Sequence, residues 1–321
     1  MWWKKLRWRL EFSGLLVATL FTRALPRRLM IAFANLGGWL WYRLDRRSRV
    51  VADQNLALVF ADKDESWRRN IAVKSCQNIV RAALELLWAQ RLSGGSWKKW
   101  VVLEGFEKEF ERQGPAILTL THYGSFEWIG LMLAHAGLEG MALTQPFKNP
   151  LIEEYYKKMR TRSGNTVASK QGAMLRMFKQ LKRGGRVGLL VDLTLHPNQP
   201  SVVLDSFGRW QNMTMLHALL HQRSGAPILI LESEPLPDGR VLIRALEPIE
   251  SSEGLSLEDI ARQCWAAYQK RILARPDLWL WAYKHWRYLD PSAPEKYPDY
   301  AHVSPKFTKK IQAMKDAQAQ T

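Results

Sequence analysis

A chain of 321 residues that is 47% hydrophobic and 24% charged can bury one large core or two modest ones, and is too apolar for a disordered or low-complexity protein. Its 47 Lys and Arg against 30 Asp and Glu leave a net charge of +17, which points to polyanions: nucleic acid, anionic lipid or phosphorylated substrates. Fifteen Trp favour a membrane surface over a DNA groove, because indole settles in the headgroup layer. Cys76 and Cys264 belong to no CxxC or Cys/His cluster, so they read as two buried thiols in a reducing compartment rather than zinc ligands.

The first segment, residues 1–45, is rich in Trp, Lys and Arg. Apolar stretches at 13–22 and 29–42 are each followed by arginines, and neither reaches the roughly 20 residues a spanning helix needs. No A-x-A-like cleavage site follows, so a signal peptide is disfavoured. The expected behaviour is a helical anchor lying in the interface, with indoles among headgroups and Lys/Arg on phosphates. A pair of ordinary core helices and one tilted span are the alternatives.

From there the chain reads as helix to about Gln90, with Cys76, Ile79, Val80, Ala83 and Leu87 on one face. The run Ser93-Gly94-Gly95-Ser96 breaks it. Strands are predicted at 101–103, 116–121, 141–144, 187–192, 228–233 and 241–246. Helices are predicted at 126–136, 151–162, 173–182 and 214–223. Such alternation predicts an α/β sheet with helices on both faces. Pro237-Asp238-Gly239 predicts a hairpin, and so a mixed sheet. Ser256 and Asp259 have capping-box spacing for a helix whose apolar face holds Ile260, Cys264 and Tyr268. Residues 46–300 are thus expected to form a single domain, and 301–321 a basic polar tail that frays from Pro305.

Chemistry concentrates in residues 117–128, ILTLTHYGSFEW. An apolar strand delivers His122 to its C-terminal edge, where open α/β sheets bind ligands. Gly124 permits a tight turn, Ser125 can cap the next helix, and Glu127 falls in that helix's first turn. A neutral imidazole can take the proton of an attacking hydroxyl. A carboxylate on its other nitrogen fixes the tautomer and stabilises the imidazolium. H-x4-E alone is a weak pattern, which a capping or surface His also satisfies.

The segment resembles the H-x4-D/E block of the bacterial lipid A late acyltransferases and related lysophospholipid acyltransferases. The likeness continues in order through Asn55-Leu56 and Glu85, then Lys148-Asn149-Pro150 with Arg160 to Ser163. It goes on through Val191-Asp192, Ser201-Val202-Val203 and Phe207-Gly208, residues 214–227, and Asp277 to Trp281 with Lys284 to Arg287. It covers roughly residues 12–290, and collinear blocks are far more specific than one motif. It implies a glycerolipid-acyltransferase-like domain that moves a fatty acyl chain from an acyl thioester to a lipid hydroxyl. The donor would be acyl carrier protein or coenzyme A, the acceptor a lipid A precursor or related glycolipid. It further implies no metal and no cofactor beyond the thioester co-substrate, and a place at the inner membrane with the catalytic domain on its cytoplasmic face. His122 would be the general base and Glu127 its partner. Lys148, Asn149, Arg160, Arg162 and Asp192 would bind substrate, with the arginines near phosphate or the acyl carrier. Leu193 after Asp192, where the family often has Gln or His, and Thr121 before His122, where it often has Asn, leave the acceptor open.

Each residue also has a plainer explanation. Arg160 and Arg162 can solvate a helix face, Asp192 can cap a turn, and the Trp279, Trp281 and Trp286 cluster can be packing. His217 and His221 stand at i, i+4, as metal ligands can, but without a third ligand in sequence they fit surface or core histidines better. His196 has no assignable role. Two rival functions stay open: a lipid ester or thioester hydrolase using Ser125, although G-x-S-x-G is absent, and a non-catalytic binder of anionic lipid or nucleic acid. The second lacks any nucleic-acid motif.

Overall fold

The structure is a computed structural model describing residues 2–169 and 172–318. Four helices come first: α1 (Trp2–Ala24), α2 (Arg27–Leu44), α3 (Arg46–Val59) and α4 (Glu65–Trp88). Then follow β1 (Val101–Glu104), α5 (Glu107–Arg112), β2 (Ala116–Leu120), α6 (Phe126–His135), β3 (Gly140–Thr144), α7 (Pro150–Thr161), β4 (Thr166–Ser169), α8 (Ala173–Lys182) and β5 (Arg186–Leu190). The chain continues with β6 (Ser201–Asp205), β7 (Trp210–Thr214), α9 (Leu216–Ser224), β8 (Ile228–Pro235), β9 (Val241–Ala245), α10 (Leu257–Ala274) and α11 (Pro305–Gln318).

The helix boundaries follow from local chemistry. Pro26 separates α1 from α2, since it lacks the N–H that a continuous helix would need. The side chain of Asp45 accepts from the N–H groups of Arg47 and Ser48 to open α3, and that of Asp64 accepts from Trp67 to open α4. Ser256 and Asp259 form the predicted capping box at α10. α2 lies unusually close to α4: a Cβ on Gly38 would sit 2.2 Å from Gln77 Cα, so only glycine allows the approach.

Seven strands form one sheet in the order β1-β9-β8-β2-β5-β3-β4. Neighbours are parallel except β8 and β9, whose antiparallel pairing is the predicted hairpin. Alternate residues of the central strands feed opposite cores. Ile117, Val187 and Ile228 join Ala218, Ile260 and Trp265 on one side; Ala116, Leu118 and Leu229 join Leu86, Trp128 and Met132 on the other. The mixed α/β sheet with helices on both faces is therefore as expected. β4 and the separate β6–β7 hairpin lie outside the predicted strands.

The C-terminal segment is not the frayed tail expected of it. α11 places Phe307, Ile311 and Met314 at i, i+4 and i+7, and buries them with Val203 and Tyr288. The lysines that gave the segment its polar look occupy the rest of this helix. At the other end, α1 and α2 expose a run of large apolar side chains, including Trp2, Trp3, Val17, Leu20, Leu29, Phe33, Leu36 and Trp39. Among the described residues no helix is long and apolar enough to cross a membrane.

Candidate active site

β2 and β5 are adjacent and parallel, with Leu120 opposite Leu190. Two residues further along each strand, this register sets His122 beside Asp192. The Asp192 carboxylate accepts twice from His122: Oδ2 from the backbone N–H at 2.9 Å and Oδ1 from the ring Nδ1 at 2.9 Å. Trp279 Nε1 also donates to Oδ2 at 2.9 Å, and Gln211 Nε2 donates to the Asp192 carbonyl at 3.0 Å. Asp192 is fully buried. Burial pushes its carboxyl up, but the imidazole and its N–H groups outweigh that and hold it below the usual range. Burial opposes a charge on His122 too. The carboxylate of Asp192, with a smaller contribution from Glu127, overcomes it and raises the imidazole above its ordinary value.

The loop after His122 is fixed from behind. Gly124 has φ +61°, and a Cβ there would fall 1.7 Å from the Ser233 carbonyl oxygen. Its N–H donates to the Leu278 carbonyl at 2.9 Å, and Leu280 N–H donates to the His122 carbonyl at 3.1 Å. His285 stacks on Trp279 with ring centroids 3.9 Å apart. The Asp277–Trp281 segment therefore acts as a clamp that shapes the catalytic loop and holds Asp192. Its role is invisible in the motif, since tryptophan there reads first as packing.

The carboxylate on the imidazole is that of Asp192, not that of Glu127 as the H-x4-E spacing suggests. Glu127 sits in the first turn of α6, where Arg160 of α7 holds it in a two-point contact, Nη2 to Oε1 at 2.6 Å and Nε to Oε2 at 3.3 Å. Arg160 also lies over the Tyr156 ring. His122, Glu127 and Arg160 all line one cavity of about 520 Å³, which runs between β2, β3, β5 and α6. Its depth is apolar: Leu118, Ile129, Leu138, Met141, Leu143 and Val167 contribute.

Other residues singled out in the sequence stand elsewhere. Lys148 is exposed, next to the cavity-lining Phe147. Asn149 is buried and structural. Its Oδ1 caps α7 by accepting from Leu151 N–H, and its Nδ2 donates to the Trp8 carbonyl and to Glu11, fastening α7 to α1. Arg162 donates to the Gln90 carbonyl at 2.7 Å and is not among the cavity walls. His196 stands beside Tyr288. Ser125 is buried beside Glu85. Cys76 and Cys264 are buried free thiols. His217 and His221 are buried on α9, and no group of three or more metal-capable side chains occurs among the described residues.

Burial depresses His217 to about 4, with His221 adding to the effect, and depresses His285 to about 4 as well. Both side chains are neutral in the fold. Their contribution to stability is complete above the unfolded value of about 6.5 and is lost as pH falls through the window toward 4, about 3 kcal/mol for each histidine. Urea midpoints measured across that window should fall steeply on acidification. They should fall less in His217→Leu, which removes a buried ring with neither nitrogen hydrogen-bonded.

Comparison with known proteins gives the family. Residues 4–288 match the family described as bacterial lipid A biosynthesis acyltransferase. A Shigella flexneri protein named lipid A biosynthesis acyltransferase 2 is 23% identical over 274 residues, covering 83% of this chain and 85% of that protein. A Haemophilus influenzae lipid A biosynthesis acyltransferase is 28% identical over 151 residues, 46% of this chain and 48% of its own length. With a family match over nearly its whole length, laid across the strand ends that carry His122 and Asp192, the chain belongs to the bacterial lipid A biosynthesis acyltransferases and is an O-acyltransferase.

Proposed function

We propose that the enzyme transfers a fatty acyl chain from a thioester of acyl carrier protein or coenzyme A to a hydroxyl of a lipid A precursor or related glycolipid, with His122 as general base. The observation that carries this reading is the imidazole–carboxylate pair at the wall of a deep apolar cavity. With Nδ1 committed to Asp192, Nε2 is the nitrogen left for substrate. The acceptor oxygen attacks the thioester carbonyl as Nε2 takes its proton. The tetrahedral oxyanion is met by Arg160 or by backbone N–H groups, with Glu127 holding the guanidinium in place. Collapse breaks the C–S bond, and the imidazolium returns its proton to the departing thiolate, leaving an ester and a free thiol. Ser125, buried beside Glu85, is badly placed for a hydrolytic nucleophile.

The test is direct. Purified enzyme in mixed micelles is given acyl carrier protein or coenzyme A thioesters and a lipid A precursor, and products are read by mass spectrometry. The expected result is a precursor heavier by one acyl chain, absent with His122→Ala. Free fatty acid without acylated product would mean a hydrolase instead.

In this reading the acyl chain enters the apolar cavity, whose lining suits it. Gly188 of β5 lines it, and a Cβ there meets nothing closer than Leu118 Cβ at 3.9 Å. Gly188→Leu would fill that space from the strand without disturbing the sheet. At about 0.8 kcal/mol per buried methylene, displacing about three methylenes should cost roughly 50-fold in kcat/KM for the longest donor. Shorter donors should be nearly unaffected. A competition assay with mixed chain lengths reads the shift.

The apolar face of α1 and α2 supports an interfacial seat on a membrane, which this reading assigns to the cytoplasmic side of the inner membrane. Leu29, Phe33, Leu36 and Leu40 follow one another at helical spacing on α2 and are 39–51% exposed. Changing all four to Ser should lower vesicle binding more than tenfold, since each loses part of the roughly 2 kcal/mol of apolar burial. Vesicle flotation reads the change.

A further inference from the structure

A second cavity, of about 320 Å³, opens between α2, α4, the β8–β9 hairpin and the short 3₁₀ turn at Pro276–Leu278. It shares no wall residue with the first, and no step of acyl transfer uses it. Its polar lining is basic and amide-bearing: Lys74, Arg81, Arg275, Asn35, Gln77 and Asn78. Asp277 is its acid, and it is bound by Arg275, which Glu234 also engages.

The charges on the α4 side do not balance. Glu85 Oε1 is shared by Arg27 at 2.6 Å and Arg81 at 2.9 Å. Lys74, exposed at the cavity edge, has no ion-pair partner among the described residues. Arg81 thus shares its carboxylate with a second guanidinium, and Lys74 has none. Two polar atoms in the lining are also buried without a hydrogen-bond partner: Arg81 Nη2 and Asn78 Oδ1. Asn78 Nδ2 donates to the carbonyls of Gly124 at 3.1 Å and Leu278 at 2.9 Å. Those bonds fix the amide and turn Oδ1 away as an unused acceptor. A buried guanidinium N–H without an acceptor is costly, and an anionic oxygen is the partner that suits it best.

We propose that this cavity binds a phosphate-bearing anion. Its oxygens would accept from Arg81 Nη2 and the Lys74 ammonium, and a hydroxyl on the phosphate or its ester would donate to Asn78 Oδ1. A carboxylate ligand would leave that last acceptor empty. The same chemistry is offered by a lipid headgroup drawn from the bilayer beside α2 and by phosphate free in solution. The inference stands independently of the acyl-transfer reading, because its ligand contacts include none of His122, Asp192, Glu127 and Arg160, although Asp277 and Leu278 in its wall belong to the clamp behind the catalytic loop.

The experiment uses the full chain in detergent micelles and on vesicles. Lys74→Glu and Asn35→Glu change the cavity at exposed positions, so folding is not at issue. Lys98→Gln/Lys99→Gln changes the net charge as much as Lys74→Glu but outside the cavity. In one arm inorganic phosphate is titrated at constant ionic strength and the melting temperature followed. In the other, flotation on phosphatidylcholine vesicles is compared with and without phosphatidylglycerol. A free-phosphate site gives saturable stabilisation by phosphate, weakened at least tenfold by either cavity variant and untouched in the lysine control. A headgroup site gives no phosphate response, but the gain in flotation from phosphatidylglycerol disappears in both cavity variants and survives in the control. If both responses are the same in wild type and cavity variants, or the control loses as much as they do, the proposal is overturned and bulk charge accounts for the binding.

Discussion

His122→Ala should lower kcat about a thousandfold or more, with little change in the amount of folded protein, because general-base assistance is worth roughly 10²–10⁴. Asp192→Asn should come close to the same loss. An amide cannot stabilise the imidazolium, and at Oδ1 and Oδ2 it would have to replace a carboxylate that now accepts from His122 N–H, His122 Nδ1 and Trp279 Nε1. The pH profile separates their roles. The base must be neutral to act, so the rate falls as pH drops through the raised value of His122, and the acid limb should lie above the ordinary imidazole range. In Asp192→Asn the carboxylate that lifts His122 is gone, so the residual activity should show an acid limb moved to lower pH. Loss of rate with an unmoved limb would mean that Asp192 serves only to hold the loop. Glu127 and Arg160 act as a unit in this geometry. Glu127→Gln and Arg160→Gln should each lower kcat, and the double variant should be little worse than either alone. Additive losses would show two separate contributions.

The placement of His122 at a strand end was legible because the strand and the turn are written locally: an apolar run, then Gly124, then a helical pattern. Ser125 stands at the N-cap position, but its hydroxyl makes no capping bond. The carboxylate that meets its ring was not legible as such. Asp192 was visible as a strand-end acid, but its pairing with His122 depends on β2 lying beside β5, which a separation of 70 positions in the chain does not announce. Glu127 looked like the partner because sequence spacing is the one distance a motif displays. Its actual contact, Arg160, comes from the next helix in the chain, after a strand. The missed strands fail for a different reason. Residues 166–169 are short and half exposed at the sheet edge, and β7 is interrupted by Gln211 and Asn212, so neither carries the apolar run that marks a central strand. β6 does have one in Val202-Val203-Leu204, but it pairs only with β7, outside the main sheet. The cavity is hidden most deeply of all. Leu118, Leu143 and Gly188 look like core in sequence, and only packing decides that space is left between them.

Glu85→Ala is expected to be the most destabilising single change outside the catalytic loop. Glu85 is fully buried and receives both Arg27 and Arg81 on one oxygen. Arg27 is itself 3% exposed and surrounded by the rings of Trp88, Trp100 and Trp128, with its charge centre 4.3 Å from the last. Burial pushes the Glu85 carboxyl up, but the two guanidinium groups win and hold it below the usual range, so its contribution is present above the unfolded carboxylate value and fades only in acid. Removing the carboxylate strands Arg27 in an aromatic pocket with no counter-charge, which costs about 3–5 kcal/mol. For a chain of this size that is roughly a 6 °C fall in Tm. The same principle makes a less obvious demand. Replacing both members, Arg27→Met with Glu85→Leu, removes the desolvated charges together and should be markedly less destabilising than Glu85→Ala alone, with Arg81 free to reach solvent. Because Trp128 Nε1 bonds to the backbone carbonyl of Glu85, the tie between α4 and α6 survives in both variants, so the comparison isolates the charge. If the double variant unfolds as readily as the single one, the ion pair is contributing specific geometry between α2 and α4 that apolar packing cannot replace.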